Sequence, residues 1–368
     1  MTDVEQGKVS SGQVVLMYFV FRLFTMAVLL PLVSTGTAGR DSWLSALLVG
    51  VWTALITLPM LLLARRFPTE APAAYLPRVV SRPVAVVIGI LFAWYFLHLA
   101  VIELRQFADV LNTALLRETP SLLLTGLMLA VVAYAMDQGL EVIARSTQII
   151  ASAIIAIALF VLGLSAIHWR LENLAPVLAN GWRPVLVTSF SPLGWFAETV
   201  IVLFLFPYIS DKHTLPGKLY AVIAASAVIL AAFGTAAPAM FGAAEAQRQT
   251  FVGLTIIRSI SVAGFLERLD PLLIVALISG VFVKAGVLLY LAALVLAQTF
   301  GLQSYRGLVL PISVLALGFS RIVFESTLEA RHFFAPHVMT PYALSITTGL
   351  PLLVLAVAAL RGQRGGAS

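Results

Sequence analysis

The stretch TSFSPLGWFAETVIVLFLFPYIS, residues 188–210, decides how this chain folds. It is long enough to enter a bilayer, whose core takes about 20 mostly apolar residues per helix. Its opening, Ser191-Pro192-Leu193-Gly194, is a poor start for a continuous helix. Pro192 has no N–H to donate, and Gly194 is conformationally loose. One turn further in sits Glu198, among mostly apolar or small neighbours. A carboxylate at that depth is costly in lipid and marks a functional site by default. A broken helix inside the membrane survives only where protein buries it or water reaches it. Two readings fit. In the first, break and acid line a cavity for a small polar ligand, as the discontinuous helices of transporters do. In the second, a helix simply starts at its proline, and Glu198 is neutral or paired for packing alone.

The composition is that of an integral membrane protein. Of 368 residues, 60% are hydrophobic and only 11% are charged, and the mean hydropathy is strongly positive. There is no cysteine, which excludes disulfides and thiolate chemistry. The net charge of +6 sits mostly in short loops, as membrane topology requires, and does not point to nucleic acid. The first twelve residues are polar and carry Asp3, Glu5 and Lys8, with no basic n-region or small-residue cleavage site. The first apolar run is therefore expected to be a retained anchor. No Walker loop, dinucleotide glycine pattern or nucleophile elbow is present, and the five histidines are too scattered to form a metal site by spacing. The expectation is a protein that is not an enzyme and holds no cofactor or metal.

Outward from the opening stretch, apolar runs suggest about ten spans in one integral membrane domain covering 1–368. They lie near 13–33, 43–64, 84–110, 120–136, 140–167, 188–208, 217–241, 270–299, 307–324 and 341–360. The runs are too long and too continuous for barrel strands, so the fold class is all-α and polytopic. The densest basic cluster, Arg65, Arg66, Arg78 and Arg82, follows the second run and should be cytoplasmic. Ten spans then leave both termini cytoplasmic. The loops over 168–187 and 242–269 are the longest on the other face, and the second reads either as a short helix on that surface or over the cavity mouth, or as a simple connector.

Charges inside the runs are the candidate functional groups. Span one carries Arg22, with Thr25 a turn beyond; snorkelling of Arg22 toward the headgroups is favoured over a ligand contact. Span three is the most polar. His98, Ile102, Arg105 and Asp109 share one face, and Arg105 and Asp109, four apart, form a structural ion pair. Glu103 points away from that stripe and needs another partner. His98 lies nearer the middle of the membrane, as an interior hydrogen-bonded residue or a titrating one. Gly139 breaks the helix before Glu141 and Arg145, which suit a surface pair. Span eight holds Lys284 near its middle, where an ammonium needs an acid, carbonyls or water. Ser279, Gly280 and Gly286 there allow close helix approach. Tyr290 lies deeper toward the inside, on a different face. Glu198 and Lys284, isolated charges at similar depth, are expected to lie close enough to interact.

Several stretches carry a resemblance. LLARRFP (62–68), YFLHLAVIELRQFADVL (95–111), GLEVIAR (139–145), NLAPVLANG (173–181), FLFPYI (204–209), FLERLDPLLI (265–274), GVFVKAGVLLY (280–290) and YRGLVLP (305–311) are similar to the endospore germination permeases. These are the B subunits of nutrient germinant receptors, in the amino acid–polyamine–organocation superfamily. The resemblance covers nearly the whole chain in order. It implies a LeuT-like fold of two inverted five-helix repeats, about 13–167 and 188–360. It also implies a mid-membrane ligand site between spans one, three, six and eight. On the matching positions that site comprises Thr25, Tyr95 and the Leu99 region with His98 beside it, Gly194, Glu198, Lys284 and Tyr290. Phe24 stands where the family implies a glycine at which the first helix unwinds, and Arg22 where a neutral or acidic polar residue is usual. A phenylalanine there fills the pocket or closes the helix.

Three functions compete. The first is a germinant receptor subunit of the spore inner membrane, which binds a small nutrient, typically an amino acid, and signals to A- and C-type partner subunits. The second is a secondary transporter of an amino acid or amine coupled to H⁺ or Na⁺, with Glu198, Lys284 and His98 as the titrating or charge-compensating groups. The third is a scaffold whose buried charges only lock helices together.

Overall fold

The computed structural model describes residues 4–34, 37–114, 116–246, 248, 252–259 and 270–365. Residues 265–269 of the germination-permease resemblance and much of the 242–269 loop lie outside the described residues. Helix α1 (Ser11–Ser34) is followed by α2 (Ser42–Arg66), the short α3 (Pro72–Val79), α4 (Arg82–Ala114), α5 (Ser121–Gln138) and α6 (Leu140–Ala166). Then come α7 (Trp182–Ser189) and α8 (Leu193–Tyr208), which form a bent pair. The chain continues through α9 (Leu215–Phe241), α10 (Val252–Ser259), α11 (Asp270–Phe300), α12 (Val309–Ile322), α13 (Thr327–Phe334) and α14 (Pro336–Leu360).

Every apolar run of the sequence becomes helical. Among the described residues seven helices are long and apolar enough to cross a membrane, and the bent pair makes an eighth. Helix α1 has 24 residues. Helix α12 has only 14, about 21 Å at 1.5 Å per residue, less than the hydrocarbon thickness. One boundary is corrected. The sixth span begins at Trp182, not near 188, so the turn around Pro192 falls inside the span and the 168–187 loop is shorter than expected. The physical reason is Gly181, whose φ of 72° ends the loop and lets a new helix start at Trp182.

Helix α1 is central and packs against α6, α9 and α11, while α4 runs along α11 and α2 along α9. Small residues set these distances. A Cβ on Gly50 would lie 2.6 Å from the Cβ of Ala227, so the glycine lets the Ala227 methyl of α9 pack directly on the backbone of α2. Gly139, with φ of 97°, is the single residue that turns α5 into α6. On its far side Glu141 pairs with Arg145 at 3.4 Å.

The N-terminal segment is tied down. Val9 forms a parallel bridge with Ile209, its N–H bonding Tyr208 O at 3.0 Å and its carbonyl accepting from Ser210 N at 2.9 Å. Ser11 donates to Asp211 through its N–H and its hydroxyl, both at 2.6 Å, and Lys218 reaches the same carboxylate at 3.0 Å. This clasp fixes the start of α1 to the end of α8. Burial pushes the Asp211 carboxyl up, but hydrogen bonds from Ser11, Lys218 and Thr214 outweigh it and hold the group below the ordinary carboxylate range.

Two outcomes follow from this packing. Gly50→Val should lower the thermal midpoint of the purified protein, at a cost of about 1–3 kcal/mol for overpacking, and Ala227→Gly should restore part of it. Because the folded Asp211 pKa is depressed, its stabilisation is present above the unfolded carboxylate pKa of about 3.9 and is lost as pH falls below it. Midpoints of wild type and Asp211→Asn, measured against pH, should differ by a constant margin at neutral pH and converge in acid.

Candidate functional site

Four charged side chains meet between α1, α4, α8 and α11. Arg22 donates through Nη2 to Glu198 Oε2. Lys284 contacts Glu103 Oε1 and lies 3.1 Å from Glu198 Oε1. It also donates to the Thr25 hydroxyl at 2.7 Å. Their side chains are 0–2% exposed, so the tetrad is sealed from both faces. Two cations offset two carboxylates. Unpaired, each charge would cost several kcal/mol at this depth, and together they meet the requirement that buried charges be paired and hydrogen-bonded.

The broken helix makes the arrangement possible. Helices α7 and α8 meet at 44° across residues 190–192. Thr340 of α14 donates to the Phe190 carbonyl at the break, at 3.0 Å. Past Pro192 the backbone passes through a 3₁₀ turn, Ala197–Val200, which carries Glu198. That turn packs against a π-turn of α14, Ser345–Gly349. Two carbonyls of the irregular stretch accept from α1: Trp195 O from Arg22 Nη1, and Phe196 O from the Tyr18 hydroxyl at 3.1 Å. Non-helical backbone at membrane depth is thus re-satisfied by side chains of the neighbouring helix. Aromatic faces complete the shell. The Arg22 guanidinium lies 5.0 Å from the Tyr18 ring centroid and 5.2 Å from that of Phe196, and the Lys284 ammonium lies 5.1 Å from that of Trp195.

The structure brings together some of the expected residues and separates others. Thr25, Glu198 and Lys284 meet. Tyr95 and Leu99 are fully buried on the face of α4 that also carries Glu103. Gly194 packs against α14: a Cβ there would lie 3.0 Å from Met339 O and 3.1 Å from Thr340 Cα, so only glycine fits. His98 belongs to an aromatic layer beside the tetrad, bonded to the Tyr342 hydroxyl at 2.8 Å and packed on Trp94 and Phe333. Tyr290 is elsewhere. Its hydroxyl donates to Glu5 at 2.6 Å, at the clasp end of α11. Arg105 pairs with Asp109, its Nε 3.0 Å from Oδ2.

One expectation about α1 is corrected. Arg22 does not snorkel: it is fully buried, because a carboxylate and a free carbonyl on α8 offer it more than the headgroups do. As expected of a phenylalanine at this position, the first helix does not unwind at Phe24. Phe24 continues the α-helix and lies against Gly280, whose missing Cβ would stand 3.0 Å from its ring. Gly280 is thus the close approach of α11, whereas a Cβ on Gly286 would meet nothing within 4 Å. The parts that sequence reasoning left unassigned were Tyr18, Glu103 and Trp195. Their signal was spacing: Tyr18, Arg22 and Thr25 share one face of α1, and Tyr95, Leu99 and Glu103 share one face of α4.

This fold is that of LeuT-type transporters. MhsT in complex with L-phenylalanine superposes with a TM-score of 0.65 at 15% identity, over 98% of this chain and 91% of that one. A Na⁺-coupled sialic acid symporter in its substrate-bound outward-open state gives 0.67 at 11% identity, over 98% and 92%. The class is therefore a polytopic, transporter-like membrane protein with a buried ion cluster at its centre. Within that class the family is also defined. Residues 8–327 match the sequence pattern of the spore germination proteins, and the chain belongs to the spore germination permease family. Spore germination protein KB of Bacillus subtilis (strain 168) is 26% identical over 372 aligned residues, covering 98% of this chain and 97% of that protein.

Removing one member of the tetrad should cost more than removing a neutral pair. Lys284→Met should lose about 3–5 kcal/mol by leaving Glu103 buried and unpaired. Lys284→Met with Glu103→Gln should recover a large part of that loss. Thermal midpoints of the purified variants, arranged as a double-mutant cycle, measure the coupling.

Proposed function

We propose that this chain is the ligand-binding membrane subunit of a spore nutrient germinant receptor. A small nutrient of the amino-acid class binds beside the α7–α8 break, at the tetrad. The observation that carries this reading is the buried tetrad at a broken helix, in a chain of the germination permease family. A zwitterionic ligand offers one carboxylate and one ammonium, which can exchange with the partners the four side chains now hold. Thr25, Tyr95, Glu198 and Lys284 are its candidate contacts. Binding biases an equilibrium between outward-open and closed arrangements, and does so only by its difference in affinity for the two. Partner subunits of the A and C types would receive that change. The protein would sit in the spore inner membrane with both termini cytoplasmic, its two halves, about 13–167 and 188–360, related as inverted repeats.

Secondary transport of the same ligand is the second reading. The fold likeness to ion-coupled symporters favours it. Uptake into proteoliposomes driven by an H⁺ or Na⁺ gradient, and lost in Glu198→Gln, would select transport over sensing.

The test of the receptor reading is genetic and physical together. In the organism that encodes the chain, deletion should abolish germination toward at least one nutrient, with wild type but not Glu198→Gln restoring it. That nutrient should raise the thermal midpoint of the purified protein, with stabilisation growing to about 2.7 kcal/mol at a hundredfold excess over Kd. Normal germination of the deletion strain toward every nutrient tested would refute the reading.

A further inference from the structure

The four buried groups have a property that no single one of them has: their charges sum to zero. Arg22 stays protonated under all ordinary conditions, and its partner is Glu198. Lys284 stands between Glu103 and Glu198. Among the described residues these four make their ion pairs only with one another. The groups around them are uncharged: Thr25 on the ammonium, and the rings of Tyr18, Phe21, Phe24, Trp195 and Phe196 over the cations.

We infer that Glu103, which completes this balance, sets the net charge of the ligand: the site accepts molecules of zero net charge, neutral or zwitterionic, and rejects cationic and anionic ones. The inference rests on the tetrad being the ligand site. A ligand with a surplus charge would leave that charge uncompensated where water is excluded, which is the expensive case. A zwitterion brings its own compensation.

A second observation describes the ligand's polar end. Arg22 Nε, the Tyr95 hydroxyl and Trp195 Nε1 are buried N–H or O–H groups with no hydrogen-bond partner among the described residues, whereas Glu198 Oε1 faces the Lys284 ammonium at 3.1 Å. Three unpartnered buried donors in one place is unusual, because buried polar groups are nearly always satisfied. Arg22, Tyr95 and Trp195 are each 0–1% exposed. The site therefore suits a ligand that presents acceptor oxygens, a carboxylate above all, to α1, α4 and α8. Its ammonium or hydroxyl donors would turn to Glu198 and Glu103.

The experiment is a thermal-shift panel on the purified full chain. The probes are the standard amino acids and an uncharged hexose, grouped by net charge at pH 7. In wild type a net-neutral probe should give the largest shift, with apparent affinity at least about tenfold above that of any cationic or anionic probe. Glu103→Gln leaves the site one positive charge in excess, and should narrow or reverse the preference toward anionic probes such as L-aspartate by about tenfold or more. Lys284→Met with Glu103→Gln restores a zero sum and should keep the neutral preference, which also covers the case in which Glu103→Gln alone fails to fold. A cationic or anionic amino acid as the strongest wild-type probe would overturn the inference and leave the receptor reading standing. So would a folded Glu103→Gln that binds with an unchanged charge ranking. A shift from the hexose alone would keep the neutrality rule and remove the amino-acid class. Silence of the whole panel would remove the ligand site and the inference with it.

Discussion

The contact between Arg22 and Glu198 is the constraint to which the rest of the structure answers. Neither group can be left alone in the middle of a bilayer, and neither can reach water from where it sits. To meet, α1 must lie against the irregular turn of α8, and that turn must offer its carbonyls sideways. The break around Pro192 and the 3₁₀ turn Ala197–Val200 do this, and Arg22 and Tyr18 take up the Trp195 and Phe196 carbonyls. The carboxylate and the broken backbone thus solve each other's problem: α1 satisfies both with one face. Lys284 then joins a second carboxylate, Glu103, and links α4 and α11 to the same point.

The two stretches that meet at the tetrad, α1 and the α7–α8 pair, use different chemistry. In the α7–α8 pair the helix breaks, and the backbone supplies acceptors. In α1 the helix runs through, and side chains supply donors. Phe24 enforces the difference by filling the space that Gly280 leaves open. The site is therefore richer in charged side chains and poorer in exposed backbone than one made of two broken helices.

Much of this was legible in the sequence because the bilayer makes the rules strict. A run of about 20 apolar residues has few alternatives to a helix, and an isolated Glu198 or Lys284 inside such a run must find a partner. That logic placed the two charges together and left Glu103 in search of a cation. It misjudged Arg22, because snorkelling is a local argument and the competing partner lies 176 residues away on α8. It misplaced the start of the sixth span because Arg183 and Pro184 make 182–187 look like loop, whereas the helix start is decided by Gly181 and by packing of α7 on α2. It assigned Tyr290 to the site from family position alone. Depth along α11 separates it from Lys284 by six residues, about 9 Å, and Glu5, far away in sequence, claims its hydroxyl.

The attachment of α1 to α8 at two depths limits which contacts can give way. At the clasp, Val9 and Ser11 bond Tyr208, Ser210 and Asp211. About 16 Å further along α1, at 1.5 Å per residue, Arg22 bonds Glu198 and the Trp195 carbonyl. Two helices pinned at both levels are held against rotation past each other. These two helices are joined to α4 and α11 in more than one way: Lys284 holds Glu103, Glu198 and Thr25 at once, Phe24 lies against Gly280, and Gln298 donates to the Tyr208 hydroxyl at 2.8 Å. An ammonium is a compact charge with three donors and no fixed fork, so it changes partners with less geometric cost than a guanidinium. Among the ionic contacts of the tetrad, the joint at Lys284 is therefore the one that can change partners at least geometric cost, while the Arg22 contact to Glu198 and the Trp195 carbonyl is the more fixed.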